Sequence, residues 1–185
     1  MAEFAKLRVG LAQINPTVGA LRENAVKILD YYNQAADAGC DVVAFPELSI
    51  TGYPPEDLVL KQGFVAENQF VLAEIVKSIG ETYAVIGFVE QGQKSGELYN
   101  AAAICQNQKV VGVYRKHLLP NYNVFDEQRY FTPGIHNPLF NIKGACFGVT
   151  ICEDIWDSQG PVSVQASLGA VLNLNINGSP FHAGK

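Results

Sequence analysis

Three apolar segments of the sequence each end in a side chain that can take part in acid–base or covalent chemistry. The carboxylate of Glu47 follows the first segment, the ammonium of Lys116 follows the second, and the thiol of Cys152 follows the third. Short apolar runs bounded by turn residues predict buried strands. Because α/β proteins place reactive groups at the ends of such strands, the repetition predicts that the three groups form one site.

The three residue types suit the cleavage of an amide or a nitrile. A free cysteine thiol has a pKa of about 8.5, so it needs a base or a positive neighbour to act as a nucleophile. Glu47 can accept the thiol proton. Lys116 can stabilise the thiolate and then the negative charge that develops on the substrate oxygen. The expected product of the first step is a thioester, which water then hydrolyses.

Composition narrows the classes of function. At 185 residues with 48% hydrophobic content, the chain is long enough for one domain with a real core. A formal charge of -5 and the lack of a basic run argue against nucleic acid or an anionic membrane as partner. The first residues lack the apolar core of a signal peptide, and no stretch reaches membrane-spanning length, so we expect a cytoplasmic protein.

The remaining cysteines and the histidines add no second site. Cys40, Cys105 and Cys146 are expected to be small buried residues, and no disulfide framework is predicted. Cys152 differs because a polar, turn-forming segment follows it, which predicts an exposed sulfur. The three histidines show no metal-ligand spacing, so we expect no metal; they are His117, His136 and His182.

Helical and strand-like patterns alternate along most of the chain. Helices are predicted at 21–38, 64–79 and 162–168, and strands at 7–13, 41–45, 83–89, 99–105, 109–114, 139–142, 146–151 and 170–174. Parallel βα units combined with antiparallel hairpins predict an α/β fold with a mixed sheet, or two sheets, and outer helices. The polar and aromatic stretch 117–133 has no periodicity, and we expect it to be a functional loop.

Three motifs resemble the signature segments of one superfamily. Phe45-Pro-Glu47-Leu-Ser-Ile-Thr-Gly52-Tyr-Pro, Tyr114-Arg-Lys116-His-Leu-Leu-Pro120 and Ile151-Cys152-Glu-Asp-Ile-Trp156 look like those of the nitrilase superfamily of carbon–nitrogen hydrolases, in the same order. The resemblance implies an αββα sandwich with mixed β-sheets, incomplete at the carboxyl end of this chain. It also implies that Glu47 is the general base, Lys116 the stabiliser of the intermediate and Cys152 the nucleophile.

Within that superfamily, the segments at 52–58 and 116–131 are most similar to the amidase domains of the glutamine-dependent NAD+ synthetase family. The resemblance implies that residues 1–185 are an amino-terminal fragment of a domain that hydrolyses L-glutamine. The ammonia would serve the ATP-dependent amidation of deamido-NAD+ to NAD+. No cofactor is expected in this chain, since ATP and Mg²⁺ would bind the synthetase domain, which is absent from it. A homo-oligomer is also expected.

The same resemblance implies a set of substrate-binding positions. Tyr122, Ser179 and Lys185 correspond to residues that bind glutamine, and Glu127 corresponds to a glutamate that supports the lysine and the substrate amide.

Three alternatives remain open from the sequence. One is a free-standing amidase or carbamoylase of the same superfamily, with the same three residues and a different substrate. A second is a non-catalytic binding or assembly module, in which Cys152 would be unreactive. The third, which the sequence supports less because neither histidine carries a supporting motif, is a Cys–His hydrolase that uses Cys152 with His182 or His117.

Overall fold

The computed structural model describes residues 6–94, 96–122, 125–179 and 183. Its three α-helices are α1 (Leu21–Asp37), α2 (Gln62–Val76) and α3 (Pro161–Ser167). Its strands are β1 (Val9–Leu11), β2 (Val42–Ala44), β3 (Tyr83–Gln91), β4 (Leu98–Gln106), β5 (Lys109–Arg115), β6 (Leu139–Ile142), β7 (Ala145–Ile151) and β8 (Leu172–Ile176). Short 3₁₀ helices span Glu56–Leu60, Glu127–Arg129 and Cys152–Ile155.

The strands form two mixed sheets. The first has the order β1-β2-β3-β4-β5, in which β1, β2 and β3 are parallel and β3, β4 and β5 are antiparallel neighbours. It follows that β2 and β5 run in the same direction. The second sheet has the order β6-β7-β8, with β7 antiparallel to β6 and parallel to β8.

Alternating side chains in the first sheet separate two apolar cores. Val42 and Ala44 in β2 and Val85 in β3 face the second sheet, where they meet residues of β7 such as Val149. Their sequence neighbours point to the opposite face and pack against α1 and α2; these are Val43, Phe45, Ala84 and Ile86. Since successive side chains of a strand point to opposite faces, β2 and β3 can be apolar throughout and still serve both cores.

Helix α3 packs on the outer face of the second sheet, so the layers are helix, sheet, sheet, helix. This arrangement confirms the expected αββα sandwich with mixed sheets. The buried amide of Gln165 donates to the carbonyl oxygen of Val149 at 2.9 Å and secures α3 to β7.

Most predicted helices and strands are present, but the ends of several differ from the predicted ones. Strand β1 is only three residues long, and α2 begins and ends earlier than its apolar pattern suggested. The last strand was predicted two residues too early. Gly169, with φ +104°, ends the turn after α3. Val171 is 77% exposed, so the apolar run there begins outside the sheet.

Two sequence expectations about the other cysteines need correction. Cys105 is fully buried as predicted, but Cys40 and Cys146 are only partly buried because they lie at the ends of the apolar runs. All four cysteines are free thiols. Within the described ranges, no helix is both long enough and apolar enough to cross a membrane.

One glycine sets the path of the chain toward Glu47. Gly87 lies in β3, and a Cβ atom placed on it would come within 2.4 Å of the carbonyl oxygen of Pro46 and the backbone nitrogen of Leu48. The segment that carries Glu47 therefore crosses directly over this position. A side chain on residue 87 would collide with backbone, which cannot move as easily as the end of a side chain.

We expect Gly87→Ala to lower the free energy of unfolding by about 1–3 kcal/mol, the usual range for overpacking. Urea unfolding of the variant in the full-length protein measures this. The matched control is Gly63→Ala in α2, where a new Cβ atom meets no atom within 4 Å. That control should be as stable as the unmodified protein or slightly more stable. Equal stability of both variants would contradict the account.

Candidate active site

Lys116 lies at the centre of a buried group of charged side chains. Its Nζ donates to Oε1 of Glu47 at 2.7 Å and to Oε1 of Glu127 at 2.8 Å. Lys116 is 0% exposed, and the two glutamates are 1% and 4% exposed. The residue follows the last position of β5, where the backbone nitrogen of Lys116 donates to the carbonyl oxygen of Asn100 in β4 at 2.9 Å. The sheet thus extends its ladder up to the lysine and fixes its direction.

The electrostatics of the group favour a charged lysine. Burial alone would lower the pKa of Lys116, but the carboxylates of Glu47 and Glu127 outweigh it, and the pKa is raised. Burial raises the pKa of Glu127, the charge of Glu47 raises it further, and Lys116 opposes both effects. Two carboxyl groups share one ammonium out of contact with water, so a negative charge on Glu47 opposes a second negative charge on Glu127.

Glu47 receives hydrogen bonds on both carboxylate oxygens. Besides Lys116, the side-chain amide of Asn100 donates to Oε1 at 2.8 Å, and the backbone nitrogen of Gly178 donates to Oε2 at 2.9 Å. The backbone nitrogen of Glu47 donates to the carbonyl oxygen of Asn177 at 3.3 Å. The segment that follows β8 in the second sheet therefore helps to hold a side chain supplied by the first sheet.

Cys152 directly follows β7 and begins the 3₁₀ helix Cys152–Ile155. Its φ of 45° is in the left-handed region, which is uncommon for a residue with a side chain and costs on the order of 1–3 kcal/mol. The expectation of an exposed sulfur was wrong, since Cys152 is only 7% exposed and packs in the core between the sheets. The polar residues after it form the tight turn without opening the thiol to solvent.

The thiol of Cys152 interacts electrostatically with Glu47 and Lys116. Burial raises the pKa of the thiol to about 11, and the charge of Glu47 contributes to the rise. Lys116 and a hydrogen bond with Ser179 act in the opposite direction. The structure therefore brings Glu47, Lys116 and Cys152 together, with the thiol in its protonated form at neutral pH.

Asp154 connects the segment around Lys116 to the turn that carries Cys152. The residue is fully buried, and burial raises the pKa of its carboxyl group. Its carboxylate accepts hydrogen bonds from four groups: the backbone nitrogens of His117 (3.1 Å), Leu118 (2.8 Å) and Ile151 (3.1 Å), and the hydroxyl of Tyr114 (2.7 Å). These contacts fix the chain next to Lys116 relative to the chain next to Cys152.

The residues expected to bind substrate have different outcomes. Glu127 lies in the charged cluster, and Ser179 contacts the thiol. Tyr122 is 49% exposed, and its hydroxyl donates to Oε2 of Glu153 at 2.7 Å. Lys185 lies outside the described residues.

Sequence reasoning missed four residues at this site. Asn100 and Asp154 are buried, Tyr53 donates its hydroxyl to Oε1 of Glu127 at 2.9 Å, and Glu153 holds Tyr122. A signal was available for Asn100, because it is a polar residue within the otherwise apolar run of β4. Tyr53 lies within the first of the three motifs, but the sequence assigned it no role, because its contact with Glu127 depends on the path of the chain after Glu47.

Two cavities adjoin the site. One has a volume of about 310 Å³ and reaches Tyr53 and Glu127. The other is a more open groove of about 660 Å³ that reaches Tyr122 and Glu153. This groove is lined by the half-buried carboxylate of Glu153, the residue directly after the thiol, and by the phenol of Tyr122, so it presents polar groups to a small ligand.

Two other kinds of site find little support. Across the described ranges, no group of three or more His, Cys, Asp or Glu side chains is placed to hold a metal ion. The ring of His117 stacks on Tyr114, and its Nε2 lies 3.1 Å from the carbonyl oxygen of His136, so this ring is already engaged. His182, the other candidate partner of Cys152 in a Cys–His hydrolase, lies outside the described residues.

The sandwich and this site define the class of the protein. Residues 8–184 match the family model described as carbon-nitrogen hydrolase, and the chain belongs to that family.

The similar proteins of known function are larger than this chain. The glutamine-dependent NAD(+) synthetase of Thermotoga maritima is 44% identical over 185 residues, which cover 97% of this chain and 31% of that protein. The enzyme of the same name from Acinetobacter baylyi is 41% identical and covers 96% of this chain and 32% of that protein. This chain therefore spans about a third of the length of these relatives.

Solved structures give the same fold. Glutamine-dependent NAD+ synthetase from Acinetobacter baumannii, in complex with adenosine diphosphate, superposes with a TM-score of 0.90 at 40% identity, over 96% of this chain and 33% of that one. An amidase from Nesterenkonia sp. AN1 superposes with a TM-score of 0.81 at 21% identity, over 93% of this chain and 67% of that one. At this lower identity, the likeness concerns the fold alone.

We expect Glu47→Gln to lower the pKa of Cys152 by about one unit or more, because it removes a negative neighbour that disfavours the thiolate. The rate of iodoacetamide alkylation of Cys152 is measured by peptide mass spectrometry as a function of pH, and the midpoint of this rate profile gives the pKa of the thiol. The control is Glu90→Gln, which removes a carboxylate bonded to Arg115 at 2.6 Å. A midpoint that stays the same or rises in Glu47→Gln would contradict this electrostatic arrangement.

Proposed function

We propose that this chain hydrolyses the side-chain amide of L-glutamine and belongs to a glutamine-dependent NAD+ synthetase. The observation that carries the proposal is the buried Lys116, which bonds to Glu47 at 2.7 Å and interacts with the thiol of Cys152. The identity of 44% to the Thermotoga maritima enzyme supports the choice of substrate and product. The relatives favour this function over a free-standing carbamoylase or a non-catalytic module.

The proposed reaction has two stages. Glu47 accepts the proton of the Cys152 thiol while the sulfur attacks the amide carbon, and a tetrahedral intermediate forms. The C–N bond then breaks, Glu47 returns the proton to the leaving nitrogen, and ammonia departs from a thioester. In the second stage, water attacks the thioester carbon and gives one proton to Glu47, and a second tetrahedral intermediate forms. Its C–S bond breaks, Glu47 returns the proton to the sulfur, glutamate is released and the Cys152 thiol is regenerated.

Lys116 stabilises the charge that appears on the substrate oxygen in both stages. A fixed ammonium in a site closed to water is worth on the order of 3 kcal/mol of transition-state stabilisation. Glu127 keeps the lysine in place through its 2.8 Å hydrogen bond. Because Lys116 remains charged and is held from two sides, the site needs little rearrangement when the oxyanion forms.

A free amino acid requires groups that recognise its ammonium and its carboxylate. Glu153 offers a carboxylate next to Cys152, and the 2.7 Å bond from Tyr122 orients it. We assign the α-ammonium of glutamine to Glu153 and Tyr122. We propose that Ser179 contacts the substrate near the thiol and that Lys185 binds the substrate carboxylate, as the resemblance of their sequence positions implies.

The rest of the proposed pathway lies outside this chain. Residues 1–185 would act as a glutamine amidohydrolase unit that supplies ammonia for the amidation of deamido-NAD+. We propose that ATP and Mg²⁺ act in the synthetase part of the parent protein. The homo-oligomer and the cytoplasmic location stay predictions.

The proposal predicts that Cys152→Ala separates two activities of the full-length protein. NAD+ formation with glutamine as nitrogen donor should be abolished, while NAD+ formation with ammonium salts should be largely retained. Both rates can be measured by coupled detection of NAD+. The matched control is Cys146→Ala in β7, the strand that precedes Cys152, and it should retain both activities. Equal loss with both donors, or undiminished use of glutamine, would overturn the proposal.

Recognition of an amino acid predicts that Glu153→Gln slows the reaction of Cys152 with a glutamine-mimicking diazoketone about tenfold or more. This is the usual effect of losing a charge-assisted contact. Labelling by iodoacetamide, which carries no ammonium, should be unchanged. Asp157→Asn, which removes an exposed carboxylate in the same segment, serves as control. Equal slowing with both reagents would instead mean that Glu153 supports the structure of the site.

A further inference from the structure

Asn100 is a buried polar residue in β4, and its side chain bonds to groups of the active site and not to the strand. It lies in β4 opposite Val89 of β3 and is 1% exposed. Its Nδ2 donates to Oε1 of Glu47 at 2.8 Å and to Oε2 of Glu127 at 3.3 Å. One neutral amide therefore bridges the two carboxylates that share Lys116.

The other end of the Asn100 amide is left without a partner. Its Oδ1 is buried and has no hydrogen bond within the described part of the chain. Turning the amide over would satisfy nothing, because Oδ1 would then face two carboxylates. A buried unsatisfied acceptor is uncommon and destabilising. An apolar residue would suit the surrounding alanines better if the fold alone decided the choice.

The hydrogen bonds to Glu47 distinguish its two oxygens. Oε1 receives both Lys116 and Asn100, which occupies its two acceptor directions. Among the described residues, the backbone nitrogen of Gly178 is the one donor to Oε2, and it uses one of the two acceptor directions of that oxygen. We infer that Asn100 is a positioning residue that holds Glu47 and Glu127 on either side of Lys116 and leaves Oε2 of Glu47 to accept the proton of Cys152.

The inference rests on the proposed hydrolysis for its role in the reaction, but its electrostatic consequence can be measured separately. The charged and titratable groups that surround the two carboxylates are Lys116, Cys152 and Tyr53. A donor to a carboxylate stabilises the ionised form. Loss of the Asn100 amide should therefore move the acidic limb of the pH profile for hydrolysis to higher pH.

The test compares Asn100→Leu, which is close in shape, with Asn100→Ala in the full-length protein. In both variants the acidic limb of kcat/KM for glutamine should move up by about one pH unit. The matched control is Asn68→Ala. Asn68 is equally buried and bonds to the carbonyl oxygen of Val89 at 2.6 Å without contacting either carboxylate. That control should be less stable, with its acidic limb unmoved.

A second readout does not depend on turnover. The infrared carboxylate band that is lost in Glu47→Gln should change frequency in the Asn100 variants, because the carboxylate of Glu47 loses the hydrogen bond from Asn100. If glutamine is not hydrolysed but this band shifts, the proposed function fails and the positioning role stands. An unmoved limb and an unmoved band would overturn the inference. Unfolding of both Asn100 variants while Asn68→Ala stays folded would also overturn it.

Discussion

The buried interaction of Lys116 with Glu47 and Glu127 is the constraint on which the rest of the structure depends. Removal of three charged groups from water costs several kcal/mol per ion unless each receives close and well-directed partners. The structure supplies them from both sheets and from the segments between them, with Lys116 bonded at 2.7 and 2.8 Å. Loss of Lys116 would leave two buried carboxyl groups without their cation. The sandwich must therefore bring the ends of β2, β5 and β8 to one place before the site can exist.

The nucleophile is positioned by a different device. Cys152 lies at the end of β7 with φ 45°, and the backbone around it is fixed by Asp154. The carboxylate of Asp154 also accepts a hydrogen bond from the backbone nitrogen of Leu118. The turn that carries Cys152 and the segment that follows Lys116 are therefore held together. The pKa of Cys152 is raised to about 11. Burial next to Glu47 thus favours the protonated thiol over the thiolate.

Apolar runs and strand ends are local features, and they allowed a mixed-sheet α/β fold and the grouping of Glu47, Lys116 and Cys152 to be predicted. The αββα arrangement was expected only from the resemblance of three motifs to the nitrilase superfamily. Burial of Cys152 was not predictable, since the core between the sheets covers it from β5 and β8. The partly exposed Cys40 and Cys146 show the same limit, because an apolar neighbourhood in sequence does not fix depth. Asn100 and Tyr53 could be recognised only after the sheets had brought them to Glu127, with Tyr53 and Glu127 far apart in sequence.

The central claim is that this charged cluster and Cys152 act together on glutamine through a covalent intermediate. Rapid acid quenching of the full-length protein with ¹³C-labelled L-glutamine, followed by peptide mass spectrometry, tests it most directly. The account predicts a labelled γ-glutamyl group on the peptide that contains Cys152, with none on the peptides that contain Cys40, Cys105 or Cys146. Turnover of glutamine without a label on Cys152, or a label on another residue, would contradict it.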